Sequence, residues 1–230
     1  VTTVLLVRHG LTAITGPVLA GRTPGVALDD RGVGQAKALA QRLSDLPLAA
    51  VVSSPLERCE QTAAAITASR DGQTVTLDER LVECGYGEWT GQELKKLAKD
   101  PLWRVVQAHP SAAVFPDGEA LRDVQARAVA AVRDWNARLG PDAIWVACSH
   151  ADVIKAIVAD ALGMHLDLFQ RLVVDPCSVT VIRYTELRPF VERLNDTSGS
   201  LTSLKPKRRR GARKTTRSSD AAVGGGAGSE

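Results

Sequence analysis

The chain has 230 residues, 44% of them hydrophobic and 24% charged, which fits one globular domain able to bury a sizeable core. Its formal net charge of +3 hides an asymmetry: from Ser198 onward there are eight Lys/Arg against two acids, whereas residues 1–197 hold 21 against 24. This is a mildly acidic domain with a basic tail, which excludes a globally basic protein.

The first element is Val4-Leu5-Leu6-Val7, a short apolar run that reads as a strand buried on both faces. It leads into Arg8-His9-Gly10-Leu11-Thr12, a guanidinium, an imidazole, a glycine and a hydroxyl at a strand end, where α/β sheets hold their ligands. A Gly/Pro-punctuated loop, Thr15 to Leu28, follows and is long enough to suggest a functional role. Asp29 or Asp30 then caps a helix with Val33, Ala36, Leu39, Ala40 and Leu43 on its apolar stripe. Ala49 to Val52 reads as the second strand. Ser54, Pro55 and Glu57 read as N-cap, N1 and N3 of a helix, which puts Arg58 in its first turn. Thr74 to Leu77 is a short third strand. Asp78 to Pro116 is mixed, with a helical stretch near Glu93–Lys99 and with Pro101 and Pro110 as breakers; it reads as an inserted cap. Asp117 to Leu139 is the clearest helix, stopped by Gly140-Pro141. Ala143 to Cys148 is another apolar strand, ending at Ser149-His150. Asp152 leads a helix from Val153 to Leu162. Val179 to Tyr184 and Phe190 to Leu194 are strands around a turn containing Pro189. The alternation predicts an α/β fold: a three-layer sandwich, mostly parallel sheet with helices on both faces and an inserted cap segment.

Two histidines and two arginines thus fall at or just beyond strand ends: Arg8-His9, Arg58 and His150. In their order and context these residues resemble the histidine phosphatase superfamily, whose branches include cofactor-dependent phosphoglycerate mutases and many phosphatases. The resemblance spans roughly residues 3–185. Leu6 to Thr12 is similar to the nucleophile block, and Leu28, Gly32 and Gln35-Ala36 to the helix after it. Ser53 to Arg58 with Gln61-Thr62-Ala63 is similar to the second arginine block. Leu81-Val82-Glu83, Gly87 and Trp89-Thr90-Gly91 resemble the acid block, Pro116 to Glu119 with Arg127 the start of the long helix, and Val146 to His150 with Asp152 the second histidine block. The resemblance implies that His9 attacks phosphorus, that Arg8, Arg58 and His150 bind the phosphoryl group, and that Glu83 is the general acid; were Glu83 dispensable, Glu88 and Asp152 would be the next carboxylates in line. It also implies outer substrate contacts at Thr12, Thr15, Gly21 and Arg104. The expected activity is metal-independent, cofactor-free hydrolysis of a small phosphorylated metabolite. Mutase-type transfer is the alternative.

The chain departs from the family's pattern at Leu11, Thr15 and Ala151, and Arg104 stands where the mutases carry paired arginines, so the substrate is less constrained than the chemistry. Cys177 and Arg183 have the spacing of a cysteine-dependent phosphatase, but the residues between them are β-branched, contain no glycine and read as a strand. The four cysteines lack the spacing of a disulfide framework or metal site, and His109 and His165 read as surface residues. Trp89, Trp103, Trp135 and Trp145 read mainly as packing residues, with Trp89 and Trp103 also candidates for substrate contact. No apolar run is long enough to span a membrane and no secretory signal opens the chain, so a cytoplasmic protein with no membrane partner is expected. The expected boundaries are a catalytic domain over 1–197, with a cap at about 84–116, and a basic Gly/Ser-rich tail over 198–230 too poor in apolar residues to order itself. A solvated tail is favoured; a nucleic-acid- or polyanion-binding tail around Lys205 to Lys214 is the alternative. Oligomeric state stays open, with a dimer compatible.

Overall fold

The computed structural model describes residues 1–205. Its centre is a six-stranded sheet built from β1 (Thr2–Arg8), β2 (Leu48–Ser53), β3 (Val75–Leu77), β4 (Ile144–Ser149), β5 (Val179–Tyr184) and β6 (Pro189–Asp196), in the order β3-β2-β4-β1-β5-β6. The pairs β3–β2, β2–β4 and β4–β1 are parallel, while β5 runs antiparallel to both β1 and β6. Central strands buried on both faces need unbroken apolar sequence, and β4 is buried at every position. Strand alternation sorts the core into two layers. Val4, Leu6, Trp145, Ala147 and Ile182 face one cluster, packed under α5 (Leu121–Leu139) and α6 (Ala151–Ala161). Leu5, Val7, Val146, Cys148 and Val181 face the other, under α1 (Asp30–Leu43) and α2 (Glu57–Thr67). The three-layer α/β reading therefore stands.

Register places the site. Arg8 pairs with Ser149, and Ser53 with Cys148. The three central strands thus end level, and His9, His150 and Ser54 follow side by side at the carboxyl edge of the sheet. The backbone at this edge is drawn tight by glycines: a Cβ on Gly10 would lie 2.7 Å from the Gly32 carbonyl, and one on Gly32 would lie 2.0 Å from the Leu11 carbonyl. Gly32 therefore takes the buried place on α1, while Val33, expected on the apolar stripe, is exposed. Asp29 is the N-cap, accepting from the Gly32 N–H at 2.8 Å.

Several expected boundaries move. Ser54 is not the cap of α2; that helix starts at Glu57 with Leu56 as N-cap and no side-chain cap bond, because the Ser54 hydroxyl is used by His150. Arg58 still falls in the first turn. Pro101 starts a helix: within the segment between β3 and α5, a short α3 (Leu94–Leu97) is followed by α4 (Pro101–Ala108), whose N-cap Asp100 accepts from the Leu102 N–H. The long helix α5 starts at Leu121, because Asp117 has φ 53° and residues 114–120 form a bridged turn. Pro189 opens β6 rather than lying in the preceding turn. Trp89 stacks on Trp103 and packs edge-on against Phe115, so these rings serve packing.

Packing continues a few residues beyond the tail boundary expected at Ser198. Leu201 is buried against the α1 side of the core, and Arg42 donates to the carbonyls of Asp196, Ser198 and Gly199. The rest of the expected basic tail, from Pro206 on, lies outside the described residues. Arg183 of the cysteine–arginine decoy pairs with Glu192 across β5 and β6, while Cys177 is buried. All four cysteines are buried and unbridged. Among the described residues no helix is long and apolar enough to cross a membrane.

Candidate active site

At the carboxyl edge of β1, β2 and β4 lies a cavity of about 220 Å³. Its lining includes Arg8, His9, Thr12, Thr15, Gly21, Arg58 and Glu83. His9 Nδ1 lies 2.7 Å from the carbonyl oxygen of Gly10. A carbonyl only accepts, so Nδ1 carries the proton and Nε2 presents its lone pair. Arg58 Nε donates to that Nε2 at 3.3 Å. The same guanidinium is anchored by an Nη2 bond of 2.7 Å to the Gly21 carbonyl and reaches His150 Nδ1 at 3.3 Å. His150 Nδ1 accepts from Arg58, so its Nε2 carries the proton and donates to Ser54 Oγ at 2.8 Å. The two imidazoles meet edge to face at 5.2 Å. Arg8 is held by a 2.8 Å bond to the Val174 carbonyl. Arg8 Nε and Arg58 Nη1 are buried with no hydrogen-bond partner among the described residues. Two unmatched guanidinium donors beside an imidazole lone pair form the donor pattern that a phosphoryl group satisfies.

The electrostatics separate the groups by role. Burial, reinforced by Arg58 and Arg8, pushes the His9 imidazole down to about 3. Burial, with His9 and the arginines, also lowers His150 well below the usual histidine range. Both rings are therefore neutral at physiological pH, as an attacking nitrogen must be. Glu83 moves the other way. Burial, and then the Asp152 carboxylate, raise it to about 7 against the opposing pull of the Cys84 N–H, Arg58 and Arg8. One Glu83 oxygen accepts from Cys84 N–H at 2.9 Å, and the other lies 3.8 Å from His150 Nδ1. A carboxyl that titrates near neutrality beside an imidazole lone pair suits proton transfer to a leaving oxygen.

The residues singled out in the sequence meet here, with the exceptions of Arg104 and Glu88. Arg8, His9, Arg58, His150 and Glu83 converge. Thr12 and Thr15 line the cavity and share a 2.9 Å hydroxyl–hydroxyl bond. Gly21 lines it too, and its carbonyl anchors Arg58. Arg104 does not join them: it is exposed on α4 and absent from the lining, because that face of the helix points away from the packed Trp103 and Val106 side. Of the alternative acids, Asp152 lines the cavity and Glu88 does not. His109 and His165 are exposed. Among the described residues no group of three or more His, Cys, Asp or Glu side chains is arranged to hold a metal ion.

Three contributors escaped the sequence reading. Tyr86 lines the cavity and donates to Asp152 at 2.7 Å. Ser54 orients His150. Arg22 donates to the Glu83 carbonyl at 2.8 Å and to Glu119 at 2.6 Å, while Arg127 donates to the same carbonyl at 3.2 Å and grips Glu119. Only the Ser54 position, a hydroxyl next to a strand end, carried a local signal; the others become neighbours only when the loops close over the edge.

The model of the histidine phosphatase superfamily (branch 1) matches residues 4–197. The chain is 31% identical over 204 residues to phosphoserine phosphatase 1 of Hydrogenobacter thermophilus, covering 84% of this chain and 92% of the relative. It is 33% identical over 172 residues to a glucosyl-3-phosphoglycerate phosphatase of Mycolicibacterium vanbaalenii, covering 71% and 75% respectively. Among solved structures, Bacillus stearothermophilus YhfR superposes with a TM-score of 0.78 at 28% identity, covering 86% of this chain and 98% of that one.

Proposed function

The chain belongs to the histidine phosphatase superfamily and is a phosphoric monoester hydrolase, and on that footing we propose that it cleaves a small phosphomonoester through a phosphohistidine at His9, with no metal. The observation that carries this reading is the His9 Nδ1–Gly10 carbonyl bond, which leaves Nε2 unprotonated beside the unmatched donors of Arg8 and Arg58. In the first step Nε2 attacks phosphorus, the P–O ester bond breaks, and the leaving oxygen takes the proton of Glu83. In the second step water attacks phosphorus, the P–N bond breaks, and Glu83 takes back a proton as inorganic phosphate forms. Charge gathers on the equatorial oxygens in both steps; the two arginines supply the positive charge that stabilises it, and neutral His150, accepting from Arg58, orients that guanidinium.

Transfer to an acceptor alcohol would use the same phosphohistidine. The position of Arg104, exposed and outside the cavity lining, favours hydrolysis over a mutase reaction on a phosphoglycerate. Enzyme quenched at alkaline pH during turnover is expected to carry a phosphoryl adduct on His9, to lose activity in His9→Ala, and to keep it in excess chelator. Full activity in the variant, or loss under chelation reversed by Mg²⁺ or Zn²⁺, would overturn the mechanism.

A further inference from the structure

The cavity that holds Arg8 and Arg58 is also lined by two carboxylates, Glu83 and Asp152. Those two arginines, committed to the phosphoryl end, are the cations among the residues that line the cavity. The remaining lining holds Glu83, Asp152 and Tyr86 with the apolar Val18, Leu19 and Leu94. The nearest further cations are already engaged. Arg22 is bonded to the Glu83 carbonyl and to Glu119. Lys155 lies outside the lining, 3.5 Å from Asp152 and 3.1 Å from Gln170. Asp152 is held at the cavity wall by the Tyr86 hydroxyl, so it has no freedom to turn away from a bound leaving group.

We propose that Asp152 is a specificity-determining residue that rejects a second anionic group on the substrate, so the ester cleaved is that of a non-anionic alcohol, uncharged or amine-bearing. The inference rests on the phosphatase reading above. A carboxylate on the leaving group would be desolvated against Asp152 with no unengaged cation lining the cavity to receive it, whereas a hydroxyl or ammonium would find an acceptor. Like charges held a few ångströms apart in a partly buried site discriminate by on the order of 10- to 100-fold.

The test uses two matched pairs of esters that differ by one carboxylate: O-phosphoethanolamine against O-phosphoserine, and glycerol 3-phosphate against 3-phosphoglycerate. The full-length enzyme is expected to show a kcat/KM on the order of tenfold or more in favour of the first member of each pair. Asp152→Asn keeps an oxygen for Tyr86 and removes the charge, so it should narrow both ratios, mainly through the KM of the carboxylated ester. Any effect of that change on Glu83 acts on both members of a pair and cancels in the ratio. Lys155→Gln, a change outside the lining, should widen the ratios by leaving Asp152 less neutralised, and it serves if Asp152→Asn fails to fold. Carboxylated esters cleaved as well as their partners, or ratios unmoved by either substitution, would overturn the inference alone. Absence of any His9-dependent hydrolysis of p-nitrophenyl phosphate would overturn the phosphatase reading and this inference with it.

Discussion

Burial beside Asp152 gives Glu83 a pKa of about 7, so near neutral pH about half the molecules hold its proton. An acid is needed only when the leaving group departs as an alkoxide. Glu83→Gln is therefore expected to lose ~10²–10⁴ in rate on an alkyl phosphate and far less on p-nitrophenyl phosphate. The pH profile follows the same logic: above pH 7 kcat/KM should fall on the alkyl ester relative to the nitrophenyl ester, and that relative fall should vanish in the variant. Equal losses on both esters would assign Glu83 to phosphate positioning. The same burial costs stability. A carboxyl whose folded pKa lies above its unfolded value of about 4.5 contributes fully to folding below that value, and the contribution is lost as pH rises through 7. Glu83→Gln should thus unfold about 1–3 kcal/mol harder than the parent at pH 8, with the gap closing below pH 4.5, as read from denaturant titrations at the two pH values. His9 and His150 have the opposite sign: held neutral by burial, they favour the fold above about pH 6.5 and withdraw that support as acid protonates them.

Glu83, the proposed acid, sits on a loop whose shape is imposed by its neighbours. Gly87 has φ 52°, and a Cβ there would lie 1.8 Å from the Pro116 carbonyl, so the turn before α5 packs directly on the acid loop. A Cβ on Gly118 would likewise lie 2.2 Å from the Gly85 carbonyl. Glu119 then receives Arg22, Arg127 and the Gly85 N–H, tying together the loop after β1, the acid loop and α5. Removing Arg127 would leave the Glu119 carboxylate and the Glu83 and Arg80 carbonyls short of a donor. Arg127→Met is expected to cost about 1–3 kcal/mol of stability, as a partly buried hydrogen-bonded pair loses one member. Because the acid and not the phosphate site is displaced, its rate loss should be larger on alkyl esters than on p-nitrophenyl phosphate. A uniform loss across both would mean that the clamp serves folding only. Gly87→Ala should be harsher, because both the φ and the neighbouring backbone oppose a side chain.

At the scale of the whole chain, what was legible was what local sequence dictates. Val4–Val7 and Ala143–Cys148 read as buried strands because unbroken apolar runs have no other place; topology brings Arg8, His9 and His150 to one sheet edge, while their roles and that of Glu83 come from the family resemblance. What was not legible needed contacts between distant segments: Ser54 looked like a cap until His150 took its hydroxyl, and α5 was read four residues too long because Asp117 and Gly118 bend to meet Gly85 and Gly87. Composition sets the tail boundary at Ser198 and the family model ends at 197, but packing continues a little further: Leu201 is only 1% exposed and Arg42 of α1 gathers the carbonyls of residues 196, 198 and 199. These contacts lie on the α1 side of the sheet and contribute nothing to the cavity lining. Two truncations separate stability from activity. Ending the chain after Lys205 should leave both the melting temperature and kcat/KM unchanged, since residues 1–205 keep their contacts with one another. Ending it after Thr197 removes a buried leucine, at a cost of about 1.5–3 kcal/mol, and should lower the melting temperature while kcat/KM at 25 °C stays within about twofold. If ending the chain after Lys205 were already enough to lose activity, residues 206–230 would have a part in catalysis or binding, and the self-sufficiency of the domain would be disproved.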